Sequence, residues 1–137
     1  MKRLVLDASV AVSWFLEDEH SLYAKEVRGR IPDAELVCVP THWMLEVINA
    51  LLAAERRKRI AAAAVNHAAG ILRQMPISSD PVTGDEAGGQ TLELARQHAL
   101  SIYDAAYLEL ALRLGAALAS FDGSLKAAAV KRGIRLA

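Results

Sequence analysis

The chain alternates short, uninterrupted apolar runs with longer stretches of helical period. Leu4-Val5-Leu6 lies in a strand pattern over 2–6, and Leu36-Val37-Cys38-Val39 forms a second. A run that is apolar at every position is the mark of a strand buried on both faces. Residues 75–79, 116–120 and 134–136 read as three further strands. Between the runs, the spacing predicts helices over 7–16, 21–27, about 40–59, 61–74, 85–98, 101–114 and 124–131. The first should end at Glu17-Asp18-Glu19 and the second at Gly29, while Gly88-Gly89 should weaken the opening turns of the fifth. Residues 80–84 read as a loop. This alternation implies an α/β fold, a parallel sheet with helices on both faces. With 137 residues and neither repeat nor linker, a single domain over 1–137 is expected.

Composition narrows the function classes. The chain carries 16 basic and 16 acidic residues, so it lacks the strong positive charge of a general nucleic-acid coating protein. A nuclease stays open, because bound metal ions can supply positive charge locally. The one cysteine, Cys38, lies inside an apolar run and reads as a buried thiol. There is no Cys/His zinc spacing, and His20, His42, His67 and His98 are scattered. No signal peptide and no membrane span is seen, so the cytoplasm is the expected location.

Four acidic residues stand where the chain changes element. Asp7 ends the first apolar run, Asp104 opens a helical pattern, and Asp122 follows the run over 116–120. Glu46 interrupts Trp43-Met44-Leu45 and Val47-Ile48. Capping alone would account for three of them: Asp7 and Asp122 before helices, and Asp104 three residues after Ser101. Glu46 would then belong to a solvated stripe with His42, Asn49 and Ala53, His42 being a surface residue near the helix start. The other reading starts from topology. Carboxyl ends of parallel strands converge on one edge, and carboxylates gathered there offer a hard oxygen site for Mg²⁺ or Mn²⁺. Asn49, close to Glu46, can hydrogen-bond its carboxylate or a water. Arg56-Arg57-Lys58-Arg59 reads either as a solvated, dipole-favoured helix end or as a contact for an RNA backbone.

Leu4-Val5-Leu6-Asp7-Ala8-Ser9, Pro40 through Glu46 with Asn49, Ser101 through Tyr107 with Asp104, and Leu118 through Asp122 with Leu125 resemble the PIN-domain ribonucleases. The closest group resembles the VapC toxins of toxin–antitoxin pairs, and the likeness spans nearly the whole chain. It implies a three-layer α/β/α sandwich around a parallel sheet and a metal-dependent endoribonuclease. It assigns Asp7, Glu46, Asp104 and Asp122 to the acidic quartet, with Ser9, Asn49 and Ser120 as supporting residues. Ser120 stands where many relatives carry Thr, which keeps the hydroxyl, and Phe121 is bulkier than expected. The resemblance further implies an RNA substrate, a cognate VapB-like antitoxin covering the acidic site, and a homodimer. The apolar helices bearing Trp14, Phe15, Trp43 and Leu51 offer grooves for such partners.

Hydrolysis of a phosphodiester needs an activated water and charge compensation on the phosphate and leaving oxygen, all of which Mg²⁺ or Mn²⁺ can supply. Asp7 and Asp104 are expected to be the central ligands, Glu46 and Asp122 the outer pair, one of which helps deprotonate the nucleophile. Ser9 would orient a carboxylate or a water. An aspartyl-phosphate phosphatase would need a second Asp two residues after Asp7, where this chain has Ser9. A receiver module would need an acidic pair at the first strand end. The non-enzymatic alternative is a PIN-fold module that binds RNA or protein without cleaving.

Overall fold

A computed structural model describes residues 2–16 and 21–137. The Glu17-Asp18-Glu19 helix end and His20 lie outside the described residues. Strand β1 (Arg3–Leu6) is followed by α1 (Ala8–Ser13) and α2 (Leu22–Arg30), then β2 (Leu36–Val39). Helices α3 (Trp43–Arg56) and α4 (Ala62–Gln74) lead to β3 (Ser78–Ser79). Next come α5 (Thr83–Glu86), α6 (Leu92–His98), α7 (Ile102–Leu114), β4 (Ala117–Ala119) and α8 (Gly123–Lys131).

The four strands form one sheet in the order β3-β2-β1-β4, and every pairing is parallel. Leu4, Val5 and Leu6 are wholly buried, and β4 is buried along its length. Successive strand residues point to opposite faces, so burial at every position means that the flanking helices cover both faces of the sheet. The chain moves outward from β1 through β2 to β3 and then crosses back to β4. The strand order therefore reverses between β1 and β4, the place where such sheets open a crevice at their carboxyl edge.

Several expected boundaries move for local reasons. Pro76 has no N–H to donate, and the Ile77 N–H is spent on the Met75 carbonyl at 2.8 Å, so β3 begins only at Ser78. The last strand reduces to a single parallel bridge between Leu118 and Leu136. Gly29 lies inside α2 rather than closing it. Helix α3 starts at Trp43, because Pro40 to Trp43 forms a turn closed by a 3.0 Å backbone bond. Gly88-Gly89 break the expected 85–98 helix outright. A π-helical turn over Ala87–Thr91 contains Gly89 at φ −114° and ψ −110°, and it separates α5 from α6. Helix α7 ends at Gly115, whose φ of +61° is costly for any residue with a Cβ.

One buried charge cluster was not foreseen. Asp80, just past β3, and Glu109 on α7 are each only 4% exposed. Arg113 bridges them, with a fork of 2.7 and 3.1 Å to Asp80 and bonds of 2.8 Å to both Glu109 oxygens. Thr83 adds a 2.9 Å bond to Asp80. The Arg113 guanidinium holds the Asp80 carboxyl below its usual range. That stabilisation is present above the ordinary carboxylate pKa and is lost as pH falls through the lowered one. Replacing Arg113 by Met leaves two buried carboxylates without their cation. The expected loss is about 3–5 kcal/mol at neutral pH, measured by urea unfolding, and it should shrink in acid as Asp80 takes up a proton.

Candidate active site

Asp7 sits at the end of β1 and is 6% exposed. It occupies the N-cap position of α1, yet its side chain caps nothing. Its Oδ2 instead accepts two hydroxyl bonds, from Ser9 at 2.8 Å and from Ser120 at 2.7 Å. Simple capping therefore does not account for this residue. Burial pushes the Asp7 carboxyl above its usual range. The two hydroxyls pull it down, and the charges of Glu46 and Asp104 push it up again.

Ser120 ties β4 to β1. While donating to Asp7, it accepts the Asp122 N–H at 2.9 Å. Ser9 in turn accepts the Phe121 N–H at 3.1 Å. The Ser120–Asp7 and Phe121–Ser9 bonds lock the segment after β4 onto the segment after β1, and the two local bonds brace them. Asp122 caps α8, accepting the Leu125 N–H at 2.8 Å. Asp104 lies in the first turn of α7, its N–H bonded to Ser101 Oγ at 3.1 Å, as the S-x-x-acid spacing predicts. Burial raises the Asp104 carboxyl, and so do the charges of Asp122 and Glu46; Ser101 and His42 oppose the rise.

Glu46 projects from the first turns of α3, where its Oε1 accepts the Tyr107 hydroxyl at 2.6 Å. Tyr107 is fully buried, and burial together with the Glu46 carboxylate pushes its hydroxyl far above the usual range. It therefore acts as a permanent donor to Glu46. The sequence signal for it was present, a tyrosine one helical turn after Asp104, but no chemistry attached to it. His42 is not a surface residue. It is half-buried, edge-on to the rings of Tyr103 and Tyr107. Its Nε2 is 3.2 Å from Glu46 Oε1 but has no hydrogen-bond partner of acceptable geometry, so proximity there is not a bond.

A cleft of about 710 Å³ opens at this sheet edge, lined by Asp7, Ser9, Glu46, Asp104 and Asp122. The structure thus brings all four predicted carboxylates to one cavity. Ser120 lies buried behind it, 2% exposed. Asn49 is placed elsewhere: it is exposed and does not line the cleft. The cleft is lined by Glu46, Ala50 and Ala53 of α3 and by its C-cap Arg57, and Glu46 is held by Tyr107 rather than by Asn49.

The lining suits a hard divalent cation in chemistry: oxygen donors and mutual repulsion that a cation would relieve. Among the described residues, no three acidic, His or Cys side chains already stand in metal-holding geometry. The arrangement fits an ion such as Mg²⁺, which keeps several waters and takes only one or two carboxylates directly.

The sequence matches the family model of the PIN domain over residues 4–131. No curated protein matches it significantly. The fold is similar to that of PAE2754 from Pyrobaculum aerophilum, with a TM-score of 0.69, 23% identity, and coverage of 93% of this chain and 84% of that one. It is equally similar to Mycobacterium tuberculosis VapC20, a toxin that cleaves the sarcin–ricin loop. That match has a TM-score of 0.69, 24% identity, and coverage of 91% and 94%.

Two outcomes test this electrostatic description. With a raised pKa, the folded state favours the protonated acid, so ionising Asp104 costs stability above that pKa and nothing below the ordinary range. Asp104→Asn should therefore raise the melting temperature of metal-free protein by about 3 °C at pH 7, the gain vanishing near pH 4 in calorimetry. Ser120→Ala should destabilise by about 1–2 kcal/mol in denaturant titration, because it strips the Asp122 N–H of its partner and Asp7 of one hydroxyl. On the matched sequence and the shared architecture, this chain belongs to the PIN-domain family.

Proposed function

We propose that this PIN-domain chain, acting as one domain over its 137 residues, is a Mg²⁺- or Mn²⁺-dependent endoribonuclease of the VapC type. It would be the toxin of a type II toxin–antitoxin pair, working in the cytoplasm as a homodimer and silenced by a VapB-like antitoxin. The observation that carries this reading is the convergence of Asp7, Glu46, Asp104 and Asp122 on one cleft at the strand-order reversal. Among the described residues, no helix is long and apolar enough to cross a membrane.

Asp7 and Asp104 would hold the ion centrally, with Glu46 and Asp122 completing the set. When bound, such an ion offsets phosphate charge and lowers the pKa of water. The protein's own part is orientation and proton handling. Ser9 and Ser120 fix the plane of the Asp7 carboxylate through Oδ2. Tyr107 grips one oxygen of Glu46 and leaves the other to take a proton from the attacking water. Asp122 is held in place by its cap bond to Leu125.

The test is incubation of purified protein with total cellular RNA, including ribosomal RNA, in Mg²⁺ or Mn²⁺ and in EDTA, beside Asp7→Asn and Asp104→Asn. Discrete cuts bearing 5′-phosphate and 3′-hydroxyl ends, abolished by EDTA and by either substitution, are expected. Undiminished cutting by Asp104→Asn would overturn the site assignment. A folded protein that binds RNA but cuts nothing would favour a binding module.

A further inference from the structure

Among the described residues, the cleft is lined by bases as well as acids. Arg57 and Arg59 line the same cavity as the four carboxylates. On α3 and its C-cap the lining positions are Glu46, Ala50, Ala53 and Arg57, so acid and base sit on one stripe with only methyl side chains between them. Arg57, the C-cap of α3, lies eleven positions beyond Glu46, about 16 Å of rise. The small alanines leave a track along the helix from the carboxylates to the guanidinium.

The end of α3 is built to keep Arg57 and Arg59 at that track. The Arg59 N–H bonds the Ala54 carbonyl and the Lys58 N–H bonds the Glu55 carbonyl, both at 2.9 Å. These are the paired bonds of a Schellman turn. The turn requires a left-handed residue at its apex, and here that residue is Lys58 at φ +60° rather than glycine. The chain thus reverses sharply, and Arg59 returns to the cleft instead of running on past it. Arg56, one position earlier, is exposed and does not line the cleft.

Resting on the nuclease reading above, we infer that Arg57 binds a backbone phosphate of the RNA flanking the one to be cut. The separation from Glu46 places Arg57 out of reach of the scissile phosphate, so its contribution goes to substrate binding and not to the chemical step. A planar guanidinium suits this task, since it can take two phosphate oxygens at once.

The experiment uses a fluorescently labelled, mixed-sequence single-stranded RNA. Its binding to Asp104→Asn protein in Mg²⁺ is followed over a salt series, and cleavage kinetics are measured on the otherwise unaltered protein. Arg57→Ala should weaken binding about tenfold and lower the salt slope by about 0.7. In cleavage it should raise KM with little change in kcat. Arg57→Lys should recover much of the loss, and Arg56→Ala should behave as the parent. Equal binding and KM for Arg57→Ala, with the parent cutting RNA normally, would overturn this inference alone. An equal loss in Arg56→Ala would also overturn it, because the effect would then be charge without placement. A parent that neither binds nor cuts RNA would overturn the nuclease reading and this inference together.

Discussion

The structure turns on a carboxylate buried at the end of the central strand. Asp7 could not remain there as an anion without compensation. Ser9 and Ser120 supply it, reaching the same oxygen from opposite sides of the β1–β4 seam. Each hydroxyl also accepts a backbone N–H from the segment after β4. One polar group thus fixes the relative position of two strand ends, and those strand ends carry two of the four acids. Glu46 and Asp104 are brought in by α3 and α7, whose first turns meet at Tyr107 through its bond to Glu46. Asp7 and Glu46 are oriented by neutral hydroxyls and Asp122 by a backbone N–H, so no fixed cation among these contacts cancels their charge.

The molecule handles its other buried acids in the opposite way. Asp80 and Glu109 are each saturated by Arg113, and the Asp80 carboxyl is lowered accordingly. In the cleft, burial and like charge raise Asp7 and Asp104 instead. A cluster neutralised within the fold is structural. A cluster left with excess negative charge is held ready for something cationic from outside. The contrast separates the two clusters where residue type alone could not.

Most of the architecture was legible because burial leaves its mark on sequence. Runs such as Leu4-Val5-Leu6 are apolar at every position, which only a strand covered on both sides requires. The errors fall where a local backbone detail outweighed the pattern. Pro76 shortened β3, Gly88-Gly89 split a helix, and the final strand became one bridge. In the site, Asn49 was expected one turn from Glu46 to hold its carboxylate or a water, while the helix turns Ala50 toward the cleft instead. A shift of one residue is about 100° on a helix, more than spacing arithmetic resolves without knowing which face is buried. Tyr107 escaped notice because an aromatic in an apolar helix looks like core, and by burial it is core, with only its hydroxyl put to use.

By itself the sequence determined the parallel α/β layout, because strand periodicity and helix starts are local properties, while periodicity left the four acids open between capping and a shared site and only the family resemblance grouped them. The resemblance had pointed to Ser9 and Ser120 as supports, and the tertiary structure alone decided which atoms meet. Ser120 reaches Asp7 across 113 positions and Tyr107 reaches Glu46 across 61, distances at which no spacing rule operates. It also decided that the basic turn after α3 shares a cavity with the acids. That outcome depends on the rotation of α3 against the sheet and on a left-handed Lys58, both products of packing.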